Sequence, residues 1–365
     1  MTPHLQGFNY RSTDVSGWSL SYPSSPKATL NLLLKSSPDL IILNLHSVQL
    51  DDLSLSAIGA LKRLTQLTLH QRRSSPAVIY TISMDFVLHI SAQQTLRRLE
   101  LGGQLQLLPP TTSSTSVDFP MLEDIELGCD LKLSSVNLLL RCARFPVLKR
   151  LKIWVEDLSP DIPEESDHWN QFFDVIGDAT STCFEALHFN DDGGSFLGLT
   201  LSCIPNLSRI SLTTFVLVGS VSDSIRHDDI VAIIKAWPLL VDLSLTSTSS
   251  TSPEIWFSSL IDIAISLPRL RKLVFLMDSR DLPDLDDIPL GSHRLEALEL
   301  ELSNSVETNA ISIVQSLDRL FPNLKSCSIL PDEDQGYGWH EVQRIIRMLQ
   351  KARQDEVLRM NLGLR

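Results

Sequence analysis

The sequence predicts an α/β protein in which short parallel strands alternate with helices in a stacked, repeating order, and three observations predict it. The pattern L-x-x-L-x-L returns every 23 to 36 residues. Between its copies the apolar residues recur at the three- and four-residue spacing of a helix. A proline also stands just ahead of many copies, at Pro38, Pro120, Pro146, Pro205, Pro238, Pro268 and Pro322, where it ends a helix and removes one amide donor.

Eleven copies are legible. They are Leu40/Leu43/Leu45, Leu64/Leu67/Leu69, Leu96/Leu99/Leu101, Leu122/Ile125/Leu127, Leu148/Leu151/Ile153 and Phe184/Leu187/Phe189, then Leu207/Ile210/Leu212, Leu240/Leu243/Leu245, Leu270/Leu273/Phe275, Leu295/Leu298/Leu300 and Leu324/Cys327/Ile329. The final L-x-L of each has the period of two of a strand, so its leucines point to one side and their neighbours to the other. Helical stripes follow at Trp169 to Ile176, Asp229 to Trp237, Trp256 to Leu267 and Ala310 to Phe321. One such unit cannot bury its apolar side alone, whereas stacked units share a core. The mean spacing, about 28 residues, falls within the range of leucine-rich repeats. The expected architecture is therefore a leucine-rich-repeat solenoid, a horseshoe with a concave parallel sheet and convex helices, of about 11 to 13 repeats. At about 4.8 Å per strand, eleven copies give roughly 50 Å of inner surface. Val15/Trp18/Leu20 and Val357/Met360/Leu362 fit the same spacing and are expected as atypical terminal units.

This divides the chain into residues 1–37, an N-terminal cap or tail plus a first helix; residues 38–330, the array; and residues 331–365, a C-terminal capping helix with room for a last strand. Apolar residues at 43% supply a large core, and charged residues at 21% keep its surface wet. The net charge of −13 disfavours phosphate backbones and anionic headgroups as partners. With no basic start before an apolar run and no membrane-length apolar stretch, an intracellular protein, cytoplasmic or nuclear, is expected. The five cysteines (Cys129, Cys142, Cys183, Cys203, Cys327) are scattered and never spaced as C-x-x-C, so buried reduced thiols are expected rather than disulfides or zinc. Asn206-Leu207-Ser208 matches a glycosylation triplet and carries no weight without a secretion signal.

No phosphate-cradling loop, zinc-protease helix or nucleophile elbow occurs. Neither a catalytic residue nor a cofactor is expected. Asp191-Asp192-Gly193-Gly194 reads as a turn, lacking the further oxygen ligands calcium needs. His46 and His70 hold equivalent positions in neighbouring copies, about 5 Å apart, but a third ligand is missing and a solvated pair is the expectation. The polar runs Thr111 to Ser116, Thr246 to Ser252 and Met277 to Asp287 read as connecting loops, with phosphorylation or partner contact as the alternative.

Binding is read from the strand residues between the leucines. From these, Arg98, Glu100, Asp124, Glu126, Arg150, Lys152, Trp154, His188 and Arg209 are expected on the concave face as a partner-binding surface of mixed charge. Trp154 beside Arg150 and Lys152 is the preferred anchor, because tryptophan and arginine dominate interface energies. The insertion that follows Ile153 offers the alternative of burying Trp154 as ordinary packing.

The F-P-x-L-x-x-L-x-L strand starts, as in Phe119-Pro120-Met121-Leu122-Glu123-Asp124-Ile125-Glu126-Leu127 and Phe321-Pro322-Asn323-Leu324, resemble the leucine-rich-repeat region of F-box proteins, closest to the divergent set of mushroom-forming fungi. The resemblance covers residues 38 to 330. It implies a substrate receptor of a ubiquitin ligase, working with a Skp-type adaptor and a cullin. Two departures stand out. The asparagine that usually follows the strand is replaced by Val48, Arg72, Gln104 and Asp130, and Met1 to Lys27 is too short and polar for an F-box. The expectation is thus a protein-protein interaction module. A scaffold or regulatory protein unconnected with ubiquitin is the alternative, and an enzyme with an unfamiliar site a distant third.

Overall fold

The computed structural model describes residues 5–11, 32, 34–46, 52–70, 80–91, 93–102, 105–108, 117–128, 133–155, 165–180, 182–191, 208–219, 225–246, 256–277, 282–291, 293–302, 310–329 and 337–362. The fold is α/β, with parallel strands alternating with helices in an order compatible with a solenoid. The chain divides into two compact units, Met1–Gly198 and Leu199–Arg365.

In the first unit the strands are β1 (Gly7–Arg11), β2 (Ile42–His46), β3 (Gln66–His70), β4 (Tyr80–Ser83), β5 (Arg98–Gly102), β6 (Leu105–Leu108), β7 (Val117–Asp118), β8 (Asp124–Leu127), β9 (Ala143–Arg144), β10 (Arg150–Val155) and β11 (Ala186–Asp191). Its helices are α1 (Asp52–Gly59), α2 (Met84–Ser91), α3 (Leu133–Cys142) and α4 (Glu165–Ala179). The main sheet runs β1-β2-β3-β5-β8-β10-β11, parallel throughout. Every pairing keeps the leucine register: Leu43 lies opposite Leu67, Leu67 opposite Leu99, Leu99 opposite Ile125, Ile125 opposite Leu151 and Leu151 opposite Leu187. All of these are buried, as is the second row from Leu45 through Leu69, Leu101, Leu127 and Ile153 to Phe189. Each such side chain is worth about 1.5–3 kcal/mol when fully withdrawn from water, so the rows hold the strands together.

The ladder extends one residue ahead of the strands. Thr65 N–H donates to the Ile41 carbonyl, Arg97 to Thr65, Glu123 to Arg97, Lys149 to Glu123 and Glu185 to Lys149, at 2.8–2.9 Å. Two short parallel pairs lie outside this sheet, β4 with β6 and β7 with β9. They add strands that the leucine pattern does not mark. The F-P turns account for the second pair: Phe119 and Phe145 stack at 5.4 Å, while Phe119 N–H donates to the Arg144 carbonyl and Phe145 N–H to that of Ala179.

In the second unit the strands are β12 (Thr214–Val218), β13 (Asp242–Thr246), β14 (Lys272–Met277), β15 (Ala297–Leu302) and β16 (Ser326–Ile329), parallel in that order. Its helices are α5 (His227–Ala236), α6 (Phe257–Ser266), α7 (Ala310–Leu320) and α8 (Tyr337–Asn361). Phe215, Leu243, Leu273, Leu298 and Cys327 form one cross-strand row, and Leu217, Leu245, Phe275, Leu300 and Ile329 the other. The long helix α8 packs on α7 and β16. Among its described side chains Val342 and Ile346 are buried, Gln350 donates to the Leu324 carbonyl, and Arg353 pairs with Asp318.

Two expectations on repeat position are corrected, and a third falls outside the described residues. Leu207/Ile210/Leu212 is not a strand core: Ser208 to Thr213 lead into β12, and the core triad is Leu212/Phe215/Leu217. Leu212 belongs to both frames, and only the later one pairs Phe215 with Leu243. Among the described residues the first strand is β1, with Phe8 and Tyr10 opposite Leu43 and Leu45; Val15, Trp18 and Leu20, expected as a terminal unit, lie outside the described residues. Val357 and Met360, expected on a last strand, are on helix α8. Residues spaced three apart, as these two are, suit a helix as well as the strand frame.

The turn before β15 carries its own device. His293 replaces the proline of other turns, and its Nε2–H donates to the Leu267 carbonyl at 2.6 Å while Nδ1 accepts from Leu295 N–H at 3.0 Å. Burial holds the imidazole below its ordinary pKa, with the Leu267 hydrogen bond opposing the shift only in part. The neutral ring is thus the folded form. Its contribution is complete above the unfolded value of 6.5 and is lost as pH falls from there through the depressed folded value. We expect the urea midpoint of the full chain to drop between about pH 7.5 and 5.5, and to drop less in His293→Asn; equal drops would contradict this role.

Gly291 is a second local requirement. A Cβ there would stand 2.1 Å from the Leu320 carbonyl oxygen, and Gly291 N–H already donates to the Arg319 carbonyl at 2.9 Å. Gly291→Ala is expected to cost about 1–3 kcal/mol in equilibrium unfolding. An unchanged midpoint would show that the turn relaxes freely.

Candidate functional site

The strand alternation that buries leucines on one side of the first unit's sheet projects a block of polar side chains from the other. Register makes the block regular. Arg98, Asp124 and Arg150 lie opposite one another on β5, β8 and β10, with Glu100, Glu126, Lys152 and His188 in the next row and Trp154 beside Asn190 in the third. Sequence reasoning places eight of its nine named residues on this face. The ninth, Arg209, is corrected: it stands exposed in the turn ahead of β12, a consequence of the shifted Leu212 frame.

Opposite charges meet across the strands. Arg150 forms a two-pronged pair with Asp124, Nε to Oδ1 at 2.6 Å and Nη2 to Oδ2 at 2.8 Å. Arg98 Nη2 reaches Glu100 and Glu126, each at 3.4 Å, and Thr68 donates to Glu100 at 3.2 Å. Lys152 Nζ lies 3.4 Å from Glu126 and 4.2 Å from the centroid of the Trp154 ring. The Trp154 indole N–H donates to Glu126 at 3.0 Å. Solvent screens such pairs, so they fix side-chain directions more than they stabilise the fold.

A second charged row borders the first. Glu123 accepts from Arg97 at 2.8 Å and from Lys149 at 2.7 Å, and the Lys149 hydrogen bond holds the Glu123 carboxyl below its usual range. Asp124 draws the Arg150 guanidinium pKa up. His188 is pushed below its ordinary value first by burial, then by Lys152 and Arg150, so this row gains no further cation near neutral pH.

Trp154 is half-buried, its polar edge engaged by Glu126 and one ring face covered by Lys152. The stretch 156–164 that was the alternative cover lies outside the described residues. His46 and His70 are neighbours in register, their rings 5.7 Å apart and tilted. Gly102 makes room for the second ring, since a Cβ there would fall 2.3 Å from His70 Nδ1. Among the described residues no group of three metal-ligating side chains occurs.

The thiols are mixed. Cys327 is buried, its pKa pushed up to about 12 mainly by burial, but Cys142 is half-buried and Cys183 exposed, contrary to the expectation of burial. Cys183 sits in the turn before β11, outside the leucine rows. Cys129, Cys203, Asn206, Asp192 to Gly194 and Thr111 to Ser116 lie outside the described residues. Among the described residues no helix is long and apolar enough to cross a membrane.

One constellation escaped the sequence reading. His227 Nδ1 lies 2.9 Å from the Ser259 hydroxyl and its Nε2 lies 3.4 Å from Asp262. Ser259 is completely buried on α6, so its hydroxyl is not presented to an electrophile; the trio ties α5 to α6. Spacing in the sequence carries no trace of it, because the contact spans neighbouring repeats. Asp242 on β13 is also notable: burial raises its carboxyl pKa, Lys272 opposes and Glu299 adds to the shift, and Oδ1 has no hydrogen-bond partner among the described residues.

No protein-family model matches the chain, and no curated protein matches it.

The Glu126 carboxylate is the hub of the tryptophan pocket. Replacing it in Glu126→Ala is expected to free the indole and raise acrylamide quenching of the Trp154 signal, isolated by subtraction of Trp154→Phe. Unchanged quenching would mean that Glu126 does not hold the ring.

Proposed function

We propose that this chain is a protein-recognition module whose binding surface is the polar face of the β5-β8-β10-β11 sheet. The reading is carried by one observation: Arg98, Glu100, Asp124, Glu126, Arg150, Lys152, Trp154 and His188 project together from four adjacent parallel strands held in register. Parallel strands normally have both faces covered, and here one face carries charged groups fixed in place by cross-strand pairs. Arginine and tryptophan, both present in this patch, are residue types that anchor protein interfaces.

The alternation of leucine strand and helix supports a leucine-rich-repeat solenoid of about 11 to 13 repeats, with this face on the concave side and the helices on the convex side. On the resemblance of its F-P-x-L-x-x-L-x-L turns, the module serves as a substrate receptor of the F-box type, acting with a Skp-type adaptor and a cullin in the cytoplasm or nucleus. Recognition, not catalysis, is the activity proposed, and no cofactor or metal enters it. The alternative within the same fold is a scaffold outside the ubiquitin system.

Affinity purification of the full chain from its own cells tests both levels. Trp154→Ala and Arg150→Ala should each reduce recovery of the bound protein, by about thirtyfold in Kd for an anchor worth ~2 kcal/mol, while Lys325→Ala on the second unit should not. Unchanged recovery from both face variants would remove the site. Co-recovery of adaptor and cullin supports the receptor reading; a partner without them supports the scaffold.

A further inference from the structure

Resting on the protein-recognition reading, we propose that the β5-β8-β10 face takes an acidic peptide segment, whose carboxylates meet the outward edges of Arg98 and Arg150. The face is layered by charge. The carboxylates lie low, with side chains 20% (Glu100), 23% (Glu126) and 26% (Asp124) exposed, whereas Arg98 at 45% and Arg150 at 62% stand above them. A molecule approaching from solvent meets guanidinium groups first.

Among the described residues those groups also keep unused donors. Arg150 spends Nε and Nη2 on Asp124, and its Nη1 makes no hydrogen bond among the described residues. Arg98 uses Nη2 for both of its glutamates, and its Nε and Nη1 make no hydrogen bond among the described residues. The two guanidiniums spring from strands separated by β8, about 10 Å apart at the backbone, a span that two carboxylates of an extended peptide can bridge. Guanidinium N–H groups make strong charge-assisted hydrogen bonds to carboxylates.

The acidic groups of the face are poor competitors for a cationic partner, because each already accepts from Arg98, Arg150, Lys152, Thr68 or the Trp154 indole. A basic segment would have to break those pairs. The chain's overall −13 charge repels an acidic segment only at long range, and at physiological salt it fades beyond about 8 Å. Lys152 over the Trp154 ring adds a third cation with an apolar surface beside it.

The test uses the full chain and fluorescence anisotropy with four labelled probes of about twelve units: alternating Glu-Gly, alternating Lys-Gly, alternating Ser-Gly, and a single-stranded RNA. The Glu-Gly peptide should bind tightest, weaken as sodium chloride rises, and lose about tenfold in affinity in Arg98→Ala/Arg150→Ala. Lys325→Ala should leave it unchanged. Circular dichroism checks that the double variant folds; Arg150→Gln, milder in volume, is expected to weaken binding in the same direction. Tighter binding of Lys-Gly or RNA, no binding of Glu-Gly, or an Arg98/Arg150 variant that binds Glu-Gly as the parent does would overturn the proposal. If Glu-Gly fails while Arg150→Ala still loses the captured protein, only the preference for acid falls; if capture is also indifferent to Arg150, the recognition site falls with it.

Discussion

The structure depends on the burial of leucine rows that no single strand-and-helix unit can complete. Leu43 is buried between Phe8 and Leu67 on the neighbouring strands, and Leu67 between Leu43 and Leu99. Stability is therefore shared between neighbours. The ends need separate treatment, and at the C-terminal end the long helix α8 supplies it through Val342, Ile346 and the Arg353–Asp318 pair.

The same constraint creates the polar face. A strand whose leucines must all point one way presents every intervening side chain on the other, and in-register pairing brings those side chains into rows. Arg98, Asp124 and Arg150 meet for this reason alone: they share one offset from their leucines. The charge pattern of the face is thus written directly in the sequence, one letter per repeat, and it can change without disturbing the core behind it.

Much of the fold was legible for that reason. Ten of the eleven sequence triads occupy the strand cores expected of them, and the helices at Glu165–Ala179, His227–Ala236, Phe257–Ser266 and Ala310–Leu320 follow the predicted stripes. The exception is instructive. Leu207/Ile210/Leu212 and Leu212/Phe215/Leu217 both satisfy the motif, and preferring leucine to phenylalanine selects the wrong one, which carried Arg209 onto the face. Even spacing would have chosen correctly, because Leu212 lies midway between Phe184 and Leu240. An aromatic strand also hid β1, where Leu5, Phe8 and Tyr10 keep the motif's spacing. What the sequence could not show is which charges pair. The Glu126 link to Trp154 and the His227–Ser259–Asp262 tie depend on distances across repeats that no local pattern encodes.

Register is the most direct point of attack. Cysteines placed at Ser244 and Val274, which lie opposite one another on β13 and β14, should form a disulfide on mild oxidation, since neighbouring parallel strands, about 4.8 Å apart, fall within disulfide reach. Cysteines at Ser244 and Glu299, two strands apart, should not. Efficient cross-linking of the second pair, or none in the first in a folded chain, would contradict the stacked leucine rows on which everything else rests.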